Sequence, residues 1–132
     1  MLSEGTIIAL STPQGSGAIG VIRLSGSSAI EKGAHFISPR SKKEWNQIAP
    51  NTAFLADFND RNILIDEVLV TFFEGPNSYT GEDVVEISCH GSSYIQQKII
   101  SCFLGKGVQP AHAGEFTLRA YLNKKMDLSQ AE

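Results

Sequence analysis

The sequence predicts an α+β domain, a mixed β-sheet with helices packed against it. Three observations lead there. Short β-rich runs at residues 6–10, 20–24, 52–58, 63–73 and 83–89 are separated by turn chemistry. Two segments, one after Ser27-Ser28 and one after Ser92, carry helical start signals. The resulting order, β-β-α-β-β-β-α-β-α, lacks the regular alternation of a parallel α/β fold. The 132 residues suit one compact domain, and 42% apolar content is enough to build a core. No internal repeat or low-complexity tract interrupts it.

Thr6 to Leu10 reads as a strand, and Thr12-Pro13-Gln14-Gly15-Ser16-Gly17 breaks it. Gly20 to Leu24 is a second strand, closed by Gly26. Ser27 or Ser28 then caps a helix over Ala29 to Phe36. Ser38 to Pro50 holds two prolines and many polar residues and reads as a loop. Thr52 to Phe58 and Ile63 to Phe73 form a hairpin around a polar turn, Asn59 to Asn62, with Asp66-Glu67 marking a bulge or kink. Glu74 to Gly81 is a loop. In the strand Asp83 to Cys89, Val85, Ile87 and Cys89 share one face, and Glu86, Ser88 and His90 share the other. Ile95, Ile99 and Phe103 form the apolar stripe of the next helix, which Gly105 and Gly107 stop. Gly107 to Pro110 adds a short strand, and Gly114 to Leu122 a short helix. Asp127-Leu128-Ser129-Gln130 resembles a capping box, so a further helix is expected there. The domain is therefore placed at residues 1–122. Residues 123–132 are read as the start of a further helical segment, with the chain as a piece of something longer.

Composition narrows function. Net charge is −3, and 19% of residues are charged. A domain gripping a nucleic acid by its phosphates would carry a basic stripe. The nearest candidate, Lys42-Lys43 beside Arg40, also holds Glu44 and reads as a solvated loop. RNA contact by this segment alone is not expected. Cys89 and Cys102 match no zinc or redox spacing and read as buried structural thiols. The opening residues lack the basic and apolar regions of a signal peptide, and no apolar run reaches membrane-spanning length. The expected setting is cytoplasmic, without a membrane.

Few residues are arranged for chemistry. Gly15-Ser16-Gly17-Ala18-Ile19-Gly20 fits G-x-G-x-x-G, but these glycines precede a strand, whereas a dinucleotide fingerprint follows one. The better reading is a loop whose backbone approaches another chain or a ligand. No G-x-x-x-x-G-K-[ST] occurs, so these residues do not bind GTP in the P-loop manner. Arg23 sits between Ile22 and Leu24, where a charge needs a partner. Either it closes a structural salt bridge, or it is a planar donor for a carboxylate or flat heterocycle. Glu86 either faces water or accepts two N–H donors from a guanidine-like heterocycle edge. His90 reads as packed at a strand end. His35, His90 and His112 lie in unrelated segments, so no metal site is expected. Glu115 and Arg119, four apart on a helix, read as a surface ion pair, with Glu115 also favouring the helix dipole. Of Lys124 and Lys125, one would cap the preceding helix and the other would meet an anionic ligand. No nucleophile–base constellation is present, so no catalytic residue is assigned.

Three stretches together resemble the MnmE/TrmE family of tRNA modification GTPases. They are Thr12-Pro13-x-Gly15-x-Gly17-x-Ile19-Gly20-Val21-Ile22-Arg23-Leu24-Ser25-Gly26, then Gly75-Pro76-Asn77-Ser78-Tyr79-Thr80-Gly81-Glu82-Asp83-Val84-Val85-Glu86, then Gly114-Glu115-Phe116-Thr117-x-Arg119-Ala120-Tyr121-Leu122-Asn123-x-Lys125-Met126-Asp127-Leu128. The sequence departs from the family pattern at Cys89-His90-Gly91-Ser92, where Gly-His-Gly-Gly is usual. It departs also at His112-Ala113-Gly114, where Arg-Pro-Gly is usual, and at Ser16, where arginine is common.

The resemblance implies a domain similar to the tetrahydrofolate-binding domain of glycine-cleavage T-protein-like enzymes. It implies a homodimer that binds 5-formyl-tetrahydrofolate or 5,10-methylene-tetrahydrofolate through Arg23, Glu86 and Lys125. The whole protein would hydrolyse GTP in a separate G domain with Mg2+ and K+. With the flavoprotein MnmG/GidA, it would place an aminomethyl or carboxymethylaminomethyl group on C5 of the wobble uridine of tRNA. The competing readings are a dimerisation scaffold without folate binding and a free-standing aminomethyltransferase-like enzyme.

Overall fold

The computed structural model describes residues 5–12 and 17–123. Within them, strands β1 (Ile7–Leu10), β2 (Ile19–Ser25), β3 (Ile37–Pro39), β4 (Phe54–Asp60), β5 (Ile63–Phe73), β6 (Val84–His90) and β7 (Gln109–Pro110) form one sheet. Its order is β3-β4-β5-β6-β2-β1-β7. Only the β1–β7 pairing is parallel, so the sheet is mixed, as expected. Helices α1 (Ala29–Phe36), α2 (Ser93–Leu104) and α3 (Glu115–Leu122) complete the α+β domain.

Strand alternation divides the sheet into two faces. On the first, Ile8, Ile22, Leu24, Val68, Val70, Phe72, Val85, Ile87 and Cys89 are buried beneath α1 and α2. Phe36 from α1, Phe58 from β4 and Phe103 from α2 meet there, with ring centroids 5.1 to 5.7 Å apart. The second face carries Arg23, Ser25, Glu86 and Ser88, and α3 with the β5–β6 loop covers one end of it.

The structure corrects the sequence reading in four places. The region read as one loop contains β3 and a 3-10 turn, Trp45–Gln47. β3 is an edge strand only three residues long, and its Pro39 donates no ladder bond, a cost an edge tolerates. The hairpin turn is shorter than the four residues expected. β4 runs on to Asp60, and Arg61-Asn62 alone make the turn, both left-handed at φ 53° and 66°. The bulge falls on the expected arm but at Ile65, which is skipped between the pairs Phe58–Asp66 and Asn59–Leu64. Ser28 is the N-cap of α1, but its hydroxyl makes no capping bond; its N–H instead donates to Thr6 Oγ1 at 3.1 Å. Ser92 caps α2 conventionally, accepting from the Ile95 N–H.

The glycine loop does make a close backbone approach, and the neighbour is its own chain. Gly17 N–H donates to Gly91 O at 2.9 Å, and a Cβ on Gly91 would collide with the Gly17 carbonyl. Cys89 is buried, whereas Cys102 is only half-buried. Burial, reinforced by Asp66, pushes the Cys89 thiol from its ordinary 9.0 up to about 11. Burial and then Asp60 also raise Cys102.

Gly91→Ala should destabilise the domain by about 2 kcal/mol, the scale of forced overpacking. Gly17→Ala, whose Cβ meets nothing within 4 Å, should stay within about 0.5 kcal/mol. Urea denaturation of the two variants checks this; equal losses would contradict it. Cys89 should resist iodoacetamide in the native protein at pH 8 while Cys102 is labelled first, as read by mass spectrometry. Because folding raises the Cys89 pKa, its contribution to stability is complete below 9.0 and should be lost as pH rises towards about 11.

Candidate functional site

The site grows from the pairing of β2 with β6. Their antiparallel register sets Arg23 directly opposite Glu86 on the second face. Ala9 flanks Arg23 on β1 and Thr71 flanks Glu86 on β5, so small side chains leave the pair accessible. Arg23 Nε donates to Glu86 Oε2 at 3.0 Å, and Nη2 lies 3.0 Å from the same oxygen. Both contacts fall on one carboxylate oxygen. The side chains keep 25% and 30% of their exposure, so neither charge is sealed from solvent.

Arg23 also lines a cleft of about 390 Å³ between the sheet and α3, with Leu10, Tyr79, His112, Phe116 and Thr117 among its other walls. The Arg23 guanidinium carbon lies 5.5 Å from the ring centroids of both Tyr79 and Phe116. These are cation–π distances, and the two rings come from different segments, the β5–β6 loop and α3. A flat, polar ring entering here would meet two aromatic side chains and a guanidinium donor that is itself held by the Glu86 carboxylate.

The sequence offered Arg23 and Glu86 as separate candidates on two strands, and the structure brings them together on one face. Lys125 lies outside the described residues, as do Lys124 and the capping box at Asp127. Tyr79 and Phe116 were missed as cleft residues. The available signal was Tyr79 itself, an aromatic side chain in an otherwise polar, glycine-bounded loop.

Glu115 and Arg119 are not the surface pair their spacing suggested. Glu115 is 1% exposed and Arg119 4%. Glu115 Oε1 accepts the His112 N–H at 2.8 Å, and Arg119 reaches Glu115, Glu82 and the Gly5 carbonyl. An i,i+4 pattern cannot reveal burial because the covering segments, residue 5 and the β5–β6 loop, are remote in sequence. Asn123 caps α3 by donating to the Arg119 carbonyl.

His90 lies at the far end of β6 from the cleft. Asp66 of β5, 8% exposed, accepts the His90 N–H at 2.9 Å and contacts Nδ1 at 2.6 Å. The packed strand-end reading is corrected: Asp66 tethers His90 at the strand end, but the imidazole side chain keeps 69% of its exposure. A larger cleft of about 620 Å³ on the α1–α2 side contains Lys98, Lys106 and Arg61. The C-terminal ends of α1 and α2 border it, and Lys98 Nζ lies 3.5 Å from Asp60 Oδ2. Among the described residues no group of three metal-binding side chains gathers, and no helix is long and apolar enough to cross a membrane.

Residues 6–125 match the family model described as the GTP-binding protein TrmE N-terminus. The chain is 53% identical over its whole length to the tRNA modification GTPase MnmE of Flavobacterium johnsoniae. It is 54% identical to that of Christiangramia forsetii and 44% identical to that of Clostridioides difficile, again over its whole length. It spans only 28% to 29% of the length of these relatives. With nearly the whole chain inside the family model, this chain belongs to the TrmE/MnmE N-terminal family.

Proposed function

We propose that this chain is the folate-binding and dimerisation module of a tRNA-modifying GTPase, spanning residues 1–122, with residues 123–132 leading into a helical domain. The observation that carries the reading is the Arg23–Glu86 pair set at a cleft between Tyr79 and Phe116. A reduced pterin is a flat ring with amino and N–H donors on one edge and a carbonyl beside them. Glu86 supplies the acceptor for that edge, and Arg23 the donor for the carbonyl or a glutamate carboxylate. Lys125 joins them on the strength of the family resemblance. The ligand is 5-formyl- or 5,10-methylene-tetrahydrofolate. The same reading takes the fold as similar to the tetrahydrofolate-binding domain of glycine-cleavage T-protein-like enzymes.

Dimerisation draws support from the second face. Leu55 and Leu69 are cross-strand neighbours there, 64% and 42% exposed, and Ile63 and Leu64 are exposed at the hairpin tip. Exposed apolar side chains of this kind favour a protein partner, and a second copy is the partner proposed. The whole protein would add GTP hydrolysis with Mg2+ and K+ in a G domain. With a flavoprotein partner of the MnmG type, it would modify C5 of the tRNA wobble uridine in the cytoplasm. One observation favours the scaffold alternative: Arg23 and Glu86 already satisfy each other. Calorimetry decides between the two.

The chain should bind 5-formyl-tetrahydrofolate in calorimetry, and Glu86→Ala should weaken binding at least about tenfold, the loss of one charge-assisted contact. The same variant should keep its stability within about 1 kcal/mol, as for a solvent-accessible ion pair. No heat from the unaltered chain would favour the scaffold, and a collapse of thermal stability in Glu86→Ala would mark that residue as structural. Light scattering at micromolar concentration should give a dimer; a monomer would refute the dimerisation reading.

A further inference from the structure

The two aromatic walls of the cleft belong to segments far apart in sequence, so something must set the gap between them. Tyr79 stands in the β5–β6 loop and Phe116 in the first turn of α3. At the rim, Tyr79 Oη and Thr117 Oγ1 share a hydrogen bond of 3.0 Å, exposed to water. A second connection lies deeper. Three residues beyond Tyr79 is Glu82, and three residues beyond Phe116 is Arg119. Arg119 Nη1 contacts both Glu82 oxygens, at 3.0 and 3.1 Å, and donates to Gly5 O at 2.8 Å, while Nη2 donates to Glu115 Oε2 at 3.3 Å. Ser25 Oγ, on β2, donates to Glu82 Oε1 at 2.7 Å, and Asn123 Nδ2 to the Thr80 carbonyl at 3.0 Å. The ion pair and the aromatic pair are thus two rungs joining the same two segments. The ionic rung is the buried one, and it is anchored to the strand that carries Arg23.

We propose that Arg119, acting through Glu82, is a positioning residue that holds Tyr79 and Phe116 at their distances from Arg23. This rests on the folate reading above only for its ligand; the geometry stands apart from it. Moving α3 away from the loop would part the buried Arg119 guanidinium from Glu82 and from the Gly5 carbonyl, so the gap is stiff. The planar, forked guanidinium is needed because it meets Glu82, Glu115 and a backbone carbonyl at once, which a lysine ammonium on one flexible stem does not reproduce. Arg119 itself does not line the cleft.

The test uses Arg119→Lys and, should that variant fold poorly, Glu82→Gln, which keeps the side-chain shape and removes the charge. Each is studied well below its unfolding midpoint, where the folded state prevails and a purely stabilising role would leave the readouts unmoved. The first readout is the Arg23 Nε–H resonance in ligand-free protein, which two flanking rings should shift upfield. The second is the dissociation constant for 5-formyl-tetrahydrofolate by calorimetry. The expected result is an Arg23 resonance displaced towards its unstructured position and binding weakened about tenfold or more. An unmoved resonance, or a dissociation constant within twofold of the unaltered chain, overturns the proposal. If the unaltered chain binds no folate, the folate reading fails and the Arg23 resonance alone decides this one.

Discussion

The pairing of β2 with β6 is the constraint on which the rest of this domain depends. One register meets two demands at once. It lays Ile22 against Ile87 and Leu24 against Val85 on the face that α1 and α2 cover. On the opposite face it lays Arg23 against Glu86 and Ser25 against Val84. A slip of one residue would turn the charged pair into the core and the isoleucines out to water, so the hydrophobic pattern enforces the register strongly. The site inherits that rigidity. Arg23 and Glu86 meet because the core on the other side of the sheet admits no other alignment.

A second polar layer is built on the same strand. Ser25, buried at the end of β2, contacts Thr80 and Glu82 at 2.7 Å each, and Glu82 in turn holds Arg119. Buried polar groups are costly when unmatched, and this layer is densely cross-bonded. It secures α3 and the β5–β6 loop over a sheet face where the buried apolar side chains Ile7 and Val84 flank Ser25. The cleft beside Arg23 is the space left between these two covers and the sheet. Stability and site geometry therefore share the same side chains, whereas the half-exposed Arg23–Glu86 pair remains available to solvent.

Much of this was legible beforehand. The alternation in Val84 to His90 separated core from polar face, because a strand has a two-residue period and β6 is central, with a neighbour on each side. Helices α1 and α2 were legible because their apolar stripes and serine starts lie within one segment. The edges were harder. β3 and β7 are two or three residues long and contain proline, so they carry almost no pattern of their own and exist through their neighbours. The hairpin turn was overestimated because Asn59 and Asp60 look like turn residues, yet pairing with Leu64 and Ile63 draws them into β4.

Local chemistry was enough to specify the α+β class, the division of the central strands into two faces, the Arg23 and Glu86 candidates, and a family resemblance that residues 6–125 bear out. Those properties depend on short-range periodicity or on continuous motifs. What required the folded chain is every relation between remote segments: Arg23 meeting Glu86 across 63 positions, Asp66 holding His90 across 24, and Arg119 reaching Gly5 across 114. The spacing of Glu115 and Arg119 looked the same whether the pair was wet or buried. Burial is set by what packs on a helix from elsewhere, and a helix's own sequence does not encode its neighbours.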